Sequence, residues 1–281
     1  VMLAACTDHY SDADAYGNFE AVETIISSEN SGRILEFHIR QGQTLKCGEF
    51  AALVDTTLPV LRKKELLSQK AGVQAKLQAA KAQIELTDQK MINLRIDLER
   101  VRSMVQNKAA PQKQLDDLEG REKILEKQLA AVQAQKNSIV SELQAIEAKQ
   151  EQLEENIHRC RVVNPAEGTV LNTFAEKYEM TAAGKPLYKI AALDTMNLIV
   201  FVSGGDLYRI KVGQDCTVRV DKNKEYIEYS GRITWISDEA EFTPKMIQTK
   251  KERINWVYAV KIAVPNDGRI KIGMPGEVVF R

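Results

Sequence analysis

Between residues 66 and 105 the candidate seam positions fall alternately four and three apart, at Leu66, Lys70, Val73, Leu77, Ala80, Ile84, Thr87, Met91, Leu94, Leu98, Val101 and Val105. Ten of these twelve are apolar in a chain that is 44% hydrophobic, which would place about five there by chance. The period predicts a helix committed to a coiled-coil partner. The pattern returns at Leu115, Leu118, Glu122, Leu125, Leu129, Val132, Lys136, Ile139, Leu143, Ile146, Gln150, Leu153, Ile157 and Cys160, with eleven of fourteen apolar. Between the two runs lies Gln106-Asn107-Lys108-Ala109-Ala110-Pro111-Gln112. Polar residues break the seam there, and Pro111 suits the first turn of a new helix but not the interior of an old one. The chain reverses here. Two helices of about 45 residues joined by so short a link must lie antiparallel, in a hairpin about 65 Å long. Their remaining faces, rich in Gln, Lys and Glu, stay wet. Glu122, Lys136 and Gln150 recur every fourteen positions and read as residues that set the register of the coil; an interaction face is the other reading.

On either side the period shortens to that of strands, punctuated by Gly and Pro. The first such stretch, Ile25 to Asp55, contains Ser31-Gly32-Arg33-Ile34-Leu35 and Ile39-Arg40-Gln41-Gly42-Gln43-Thr44-Leu45-Lys46-Cys47-Gly48. The second, Val162 to Ala191, contains Asn164-Pro165-Ala166-Glu167-Gly168-Thr169-Val170 and Ala183-Gly184-Lys185-Pro186-Leu187-Tyr188-Lys189-Ile190. Each predicts strand, turn, strand. After Asp194, strands are expected at Leu198 to Val202, Cys216 to Val220, Tyr226 to Ser237, Trp256 to Val264 and Gly276 to Phe280, at spacings suited to a small barrel.

Composition refines this without changing it. The 281 residues suffice for two or three domains, and 39 basic residues balance 39 acidic ones, so no whole-chain field favours nucleic acid. Chemistry is sparse. No GxxxxGK[ST] loop occurs, and Gly184-Lys185 is followed by Pro186 rather than a phosphate-binding helix start. His9, His38 and His158 lack metal or triad spacing, and no GxSxG or paired-carboxylate constellation stands out. No active site, cofactor or metal is assigned. The opening Val1-Met2-Leu3-Ala4-Ala5-Cys6-Thr7 resembles the end of a bacterial lipobox, which makes Cys6 the expected lipidation site and Thr7 to Asp14 a tether. No run of 18 apolar residues is present, so membrane attachment is expected through that lipid.

The flanking β stretches resemble the two halves of a biotinyl or lipoyl domain, split by an inserted coiled-coil hairpin as in the HlyD-family periplasmic adaptors, or membrane fusion proteins. Gly32, Ile34, Ile39, Gly42, Leu45, Gly48 and Leu53 fit the first half; Gly168, Val170, Gly184, Pro186, Leu187 and Ile190 fit the second. The resemblance implies an elongated α+β fold with these parts: a lipobox remnant and tether over 1–15, a strand joining the barrel over 16–24, a first half-domain over 25–55, and the hairpin over 56–161 with its tip at 106–112. A second half-domain over 162–193 and a β-barrel with membrane-proximal region over 194–281 complete it. True carrier domains present a modified lysine where this chain has Val54-Asp55-Thr56, so the likeness implies fold without swinging-arm chemistry.

Phe242-Thr243-Pro244-Lys245, Thr249, Glu252-Arg253 and Gly273-Met274-Pro275-Gly276-Glu277 are similar to adaptors paired with ABC-type exporters. By the same resemblance the partners are an inner-membrane ABC-type transporter, a TolC-like outer-membrane channel and further copies of the chain, in a hexameric ring. The setting is the periplasm of a Gram-negative-type bacterium. Adaptors that dock on such channels show Arg, then Leu four residues on, then Ser seven beyond; here Arg100, Met104 and Pro111 hold those places. Met is a flexible replacement for Leu, whereas Pro111 supplies no hydroxyl. A periplasmic setting would also permit a Cys47–Cys160 disulfide, although buried thiols at Cys47, Cys160 and Cys216 are the expectation. A coiled-coil scaffold lipoprotein without a transport role, and a carrier or enzyme subunit with a lipoyl-type domain, are the competing readings.

Overall fold

Alternation of buried and exposed positions decides the β part of the molecule. The computed structural model describes residues 13–222, 225–242 and 256–280. In chain order these form β1 (Ala15–Ser27), β2 (Gly32–Phe37), β3 (Thr44–Leu45), β4 (Phe50–Val54), α1 (Thr57–Gln106), α2 (Gln112–Arg159), β5 (Arg161–Val163), β6 (Gly168–Thr173) and β7 (Met180–Thr181). There follow β8 (Pro186–Ser203), a 3-10 turn at Leu207–Arg209, β9 (Asp215–Lys222), β10 (Glu225–Ile236), β11 (Glu241–Phe242), β12 (Trp256–Pro265) and β13 (Pro275–Phe280). The helices, with residues 29–33 and 53–161, make one compact unit; the remainder makes the other.

In the β unit, nine strands run in the order β11-β12-β10-β9-β13-β1-β8-β6-β3, and β12 also pairs with β8. That extra pairing closes β1, β8, β12, β10, β9 and β13 into a six-stranded barrel, which leaves those strands no open edge toward each other. Every second residue of the strands points inward, so Met196, Leu198, Val200 and Val202 of β8 meet Val218, Ile233, Val260, Ile262 and Val278, with Phe19 of β1 fully buried among them. β8 is one unbroken strand through Asp194, where the sequence suggests an interval, because Thr195 and Met196 pair with Pro265 and Val264 and the Asn266 side chain donates to the Leu193 carbonyl at 2.8 Å.

β1 and β8 serve two bodies of packing. Gly17–Glu20 pair with Asn197–Val200 in the barrel; the register then shifts between Glu20 and Val22, and Val22–Ser27 pair with Pro186–Ala192. A bulge of this kind bends and twists a strand, and beyond it β1, β8, β6 and β3 form one leaf of a sandwich. The other leaf has the order β5-β4-β2-β7. Its core joins Ile34, Leu45, Ala51 and Ala52, which precede the helices in sequence, to Val162, Val170, Leu187, Tyr188 and Ile190, which follow them. One β core is therefore made from two sequence pieces, as the lipoyl-like resemblance predicts.

The two pieces are also copies of one backbone, offset by 136 residues. Gly42 N–H donates to the Val170 carbonyl at 2.8 Å and Tyr178 N–H to the Ile34 carbonyl at 2.7 Å; Gly48 N–H donates to Asn164 at 2.7 Å and Gly184 N–H to Ser28 at 2.8 Å. His38 N–H to Ala51 at 2.9 Å is matched by Phe174 N–H to Leu187 at 2.8 Å. Buried Asn164 ties the core to its loops: its amide donates to the Lys46 carbonyl at 2.9 Å and its oxygen accepts from the Tyr188 hydroxyl at 3.2 Å.

Within the helical unit, α1 and α2 are antiparallel, and the seam follows the four-three spacing closely. Val73, Ala80, Thr87, Met91 and Leu98 are the buried residues of α1, and Leu115, Ile139 and Ile146 those of α2. All eight are predicted seam positions. Lys63 pairs with Glu154 at 2.8 Å, Lys70 with Glu147 at 2.9 Å and Arg95 with Glu122 at 3.3 Å, so partners recede along α2 as they advance along α1. Asp55 precedes Thr56, the cap residue of α1, and its carboxylate accepts from the Thr57 hydroxyl at 2.6 Å and N–H at 2.8 Å; these bonds hold its pKa below the ordinary value.

Candidate functional site

The tip of the hairpin is built by the end of one helix and the start of the next. α1 closes at Gln106, and the Asn107, Lys108 and Ala109 N–H groups donate back to the carbonyls of Ser103, Val105 and Met104 at 3.2, 3.0 and 2.7 Å. Lys108 takes a left-handed conformation, φ 60°, to turn the chain. Pro111, extended at φ −72° and ψ 143°, then occupies the cap position of α2, and its carbonyl accepts from Gln114 N–H at 3.0 Å. The missing N–H of proline costs nothing where the helix has no acceptor for it. Leu115, buried one turn in, anchors the start of α2.

Arg100 and Met104 sit four residues apart in the last two turns of α1 and so lie one above the other. Both are exposed. Arg100 is partly engaged by Asp97, Nη1 to Oδ1 3.2 Å, an exposed i, i+3 pair of little energetic weight. Pro111 lies across the turn, exposed, at the head of the other helix. Below them Arg102 reaches Glu119 at 3.4 Å and bridges the helices. The arrangement offers a cation, a flexible thioether and a rigid ring at the end of a two-helix arm; it holds no nucleophile with a base beside it. It is suited to binding another surface.

Cys6 lies outside the described residues, as do Thr243, Pro244, Lys245, Thr249, Glu252 and Arg253; of Phe242 only the backbone pairing with Trp256 is described. Gly273 does turn the chain before β13, at φ +83°. Where a carrier domain would present its lysine, Val54 is buried and Asp55 accepts from the first N–H of α1, that of Thr57. Among the described residues no group of three His, Cys, Asp or Glu side chains is placed to hold a metal, and no helix is long and apolar enough to cross a membrane.

The thiols at 47, 160 and 216 are all free. Cys160 and Cys216 are buried, and burial raises both thiol pKa values, that of Cys216 to about 11. Cys47 departs from the expectation of a buried thiol: it is exposed, on the turn before Gly48, and its Sγ donates to the Pro165 carbonyl at 3.3 Å. A turn residue has no apolar neighbours to cover it. Sequence reasoning also passed over Ile92, Ile96 and Ile124, which are exposed on the helices away from the seam; aliphatics at outward heptad positions were the signal available.

Comparison with known proteins agrees with this geometry. No protein-family model matches the chain. It superposes on MacA from Actinobacillus actinomycetemcomitans with a TM-score of 0.69 at 21% identity, over 94% of this chain and 76% of that one. On the membrane fusion protein Spr0693 from Streptococcus pneumoniae R6 the TM-score is 0.55 at 16% identity, over 95% and 97%. In sequence, the UPF0194 membrane protein YbhG of Salmonella gallinarum is 30% identical over 120 residues, 42% of this chain and 36% of that protein. A UPF0194 membrane protein of an Enterobacter species is 27% identical over 128 residues, 45% and 38%. The matched region thus spans well under half the length of these relatives. A helical hairpin inserted in a split lipoyl-like sandwich and followed by a closed barrel defines a class of fold. It is the fold of the HlyD-type membrane fusion proteins.

Proposed function

We propose that this chain is the periplasmic adaptor subunit of an efflux system, linking an inner-membrane transporter of ABC type to a TolC-like outer-membrane channel for export of small molecules or other substrates. The observation that carries the reading is the exposed hairpin tip, Arg100, Met104 and Pro111, on a two-helix hairpin that follows β4 and precedes β5 in the chain. In this reading Cys6 carries the lipid that holds the chain at the membrane, the barrel stands near the transporter, and several copies enclose the path in a ring. The partner transporter handles ATP, since the sequence has no phosphate-binding loop. The role is architectural and non-enzymatic.

Met104→Asp tests it. A carboxylate placed in an apolar docking groove is costly to bury, while at an exposed helix position it leaves folding intact. Export and co-purification with the channel should be lost with an unchanged melting curve; unchanged transport removes the tip from the mechanism. The engagement of Arg100 by Asp97 and the absence of a hydroxyl at Pro111 favour a second reading, a coiled-coil scaffold lipoprotein without a transport role. Failure of affinity-tagged chain to retain any ABC permease or outer-membrane duct from solubilised membranes would favour it.

A further inference from the structure

The barrel has two unlike ends. All its neighbouring strands are antiparallel, so β1, β9 and β12 begin at the end where β8, β10 and β13 finish. β1 and β8 continue into the sandwich from the opposite end, which makes this the end remote from it. The loop from β8 to β9 crosses the opening there. Asp206 N–H donates to the Ser203 carbonyl at 3.1 Å, and Leu207 and buried Ile210 pack against the barrel core as a stopper. A turn that aims those two inward leaves Tyr208 and Val212 outward, 81% and 63% exposed. Trp256, one residue beyond the Val257–Ser203 pair at the start of β12, is 58% exposed.

We propose that this end of the barrel rests in the headgroup layer of a lipid bilayer, with Trp256, Tyr208 and Val212 as the groups that enter it. The inference rests on the lipid at Cys6 in the adaptor reading and adds a second, non-covalent attachment to it. Reach is the first argument. β1 enters the barrel at this same end, fixed by Asp14, whose N–H donates to the Val278 carbonyl at 2.9 Å and whose carboxylate accepts from Phe280 N–H at 2.7 Å. Cys6 stands eight residues earlier, so its Cα is at most about 29 Å from that of Asp14 whatever path the chain takes. An acyl chain on Cys6 therefore keeps the bilayer within that distance of this end.

Chemistry is the second. Tryptophan and tyrosine join an apolar body to one polar group, which suits them to a layer that is wet on one side and apolar on the other. The charges around them are mixed: Arg209 pairs with Asp206 at 3.8 Å, and Lys211 is exposed, as are Asp238 and Glu239 beyond the end of β10. Such a rim has no strong attraction to anionic lipid. Insertion of apolar surface has to carry the contact, and salt should not weaken it. A protein partner is the competing occupant. Reach favours lipid, because the tether sets the bilayer itself close to these three side chains with no second protein present.

The chain has two tryptophans, which makes the test specific. Trp235 lies on the barrel wall, its ring 5.9 Å from the Nζ of its strand partner Lys261, five residues along β12 from Trp256. Full-length lipidated chain carrying Trp235→Phe or Trp256→Phe is reconstituted in phosphatidylcholine vesicles containing brominated phosphatidylcholine, which quenches tryptophans in contact with it. Quenching of Trp256 should exceed that of Trp235 by about threefold or more, in low and high salt alike, and Tyr208→Asp with Val212→Asp should reduce it by a similar factor. Equal quenching of the two, or its loss in high salt, would overturn the contact. So would a response of Trp256 that appears only when the membranes also hold the transporter, which would make protein the occupant. Intact mass of the same samples reports acylation of Cys6 separately. An acylated chain with Trp256 unquenched leaves the anchor standing and sinks the rim contact, whereas quenching of Trp256 by vesicles added to an unacylated chain upholds the contact and removes the anchor.

Discussion

Tyr178 and Gly42 occupy the same place in the two halves of the sandwich, and the backbone demands the same of both: φ +76° and φ +81°. Glycine adopts this region freely, whereas a side chain there costs about 1–2 kcal/mol. A Cβ at Gly42 would meet nothing within 4 Å, so Gly42→Ala isolates the backbone term and should destabilise by about 1 kcal/mol. Tyr178→Gly should act the other way, raising the calorimetric midpoint, because the exposed ring contributes little beyond a contact with Lys177 Nζ at 4.8 Å. A second prediction at this scale concerns alkali. Burial holds Cys216 protonated to about 11 against an ordinary 9.0, and Tyr188 to about 12 against 10.0. Above the ordinary values the unfolded chain ionises while the native one does not, so it binds fewer protons and stability falls as pH rises. This stability is fully present below about pH 9 and is lost progressively toward pH 11 and 12. Cys216→Ala should flatten the fall between 9 and 11 in urea titrations, whatever it does to stability at neutral pH; an unchanged slope would contradict the assignment.

At the scale of elements, the helices were the most legible part of the sequence, because a four-three seam is a strictly local signal repeated many times. The proposed register-setting role has some physical content at Glu122, which pairs with Arg95 across the hairpin, and less at Gln150, whose amide bonds Glu154 on its own helix at 3.1 Å. Exposed pairs such as Lys63–Glu154 are screened by solvent and serve register more than stability. Apolar burial carries the coil. Leu98, 3% exposed, is among its deepest side chains, and Leu98→Ala should cost about 2–4 kcal/mol. Because the helical unit is distinct from the β unit, that loss should appear as faster amide hydrogen exchange confined to α1 and α2, with exchange in the barrel strands unaltered. What the seam hid was the outside. Attention to the inward residues left Ile92, Ile96 and Ile124 unremarked among Gln, Lys and Glu.

For the whole molecule, the order of half-sandwich, hairpin, half-sandwich and barrel was readable because each piece has its own period. The 136-residue repeat was not. Only Gly32 and Gly168, Leu35 and Leu171, and Gly48 and Gly184 are identical between the halves, since backbone hydrogen bonds, not side chains, carry the correspondence. Barrel closure was equally hidden, depending on a β8–β12 pairing between residues far apart in the chain. The adaptor reading makes the length of the hairpin a functional quantity, and the register permits it to be changed cleanly. Lys70 faces Glu147, so residues 66–79 of α1 and 138–151 of α2 lie opposite one another, and each segment is two heptads. Deleting both preserves the seam, the Asp55–Thr57 bonds at the start of α1 and the tip residues Arg100, Met104 and Pro111, while shortening the arm by about 21 Å. The shortened chain should melt normally in its β unit and still co-purify with the inner-membrane transporter, yet lose the outer channel and export activity. Deleting the fourteen residues from α1 alone should instead unfold the hairpin, because the partner seam would have nothing to bury against. Full export by the paired deletion would mean that the arm does not work by spanning a distance, and the tip would have to act where the shorter hairpin places it.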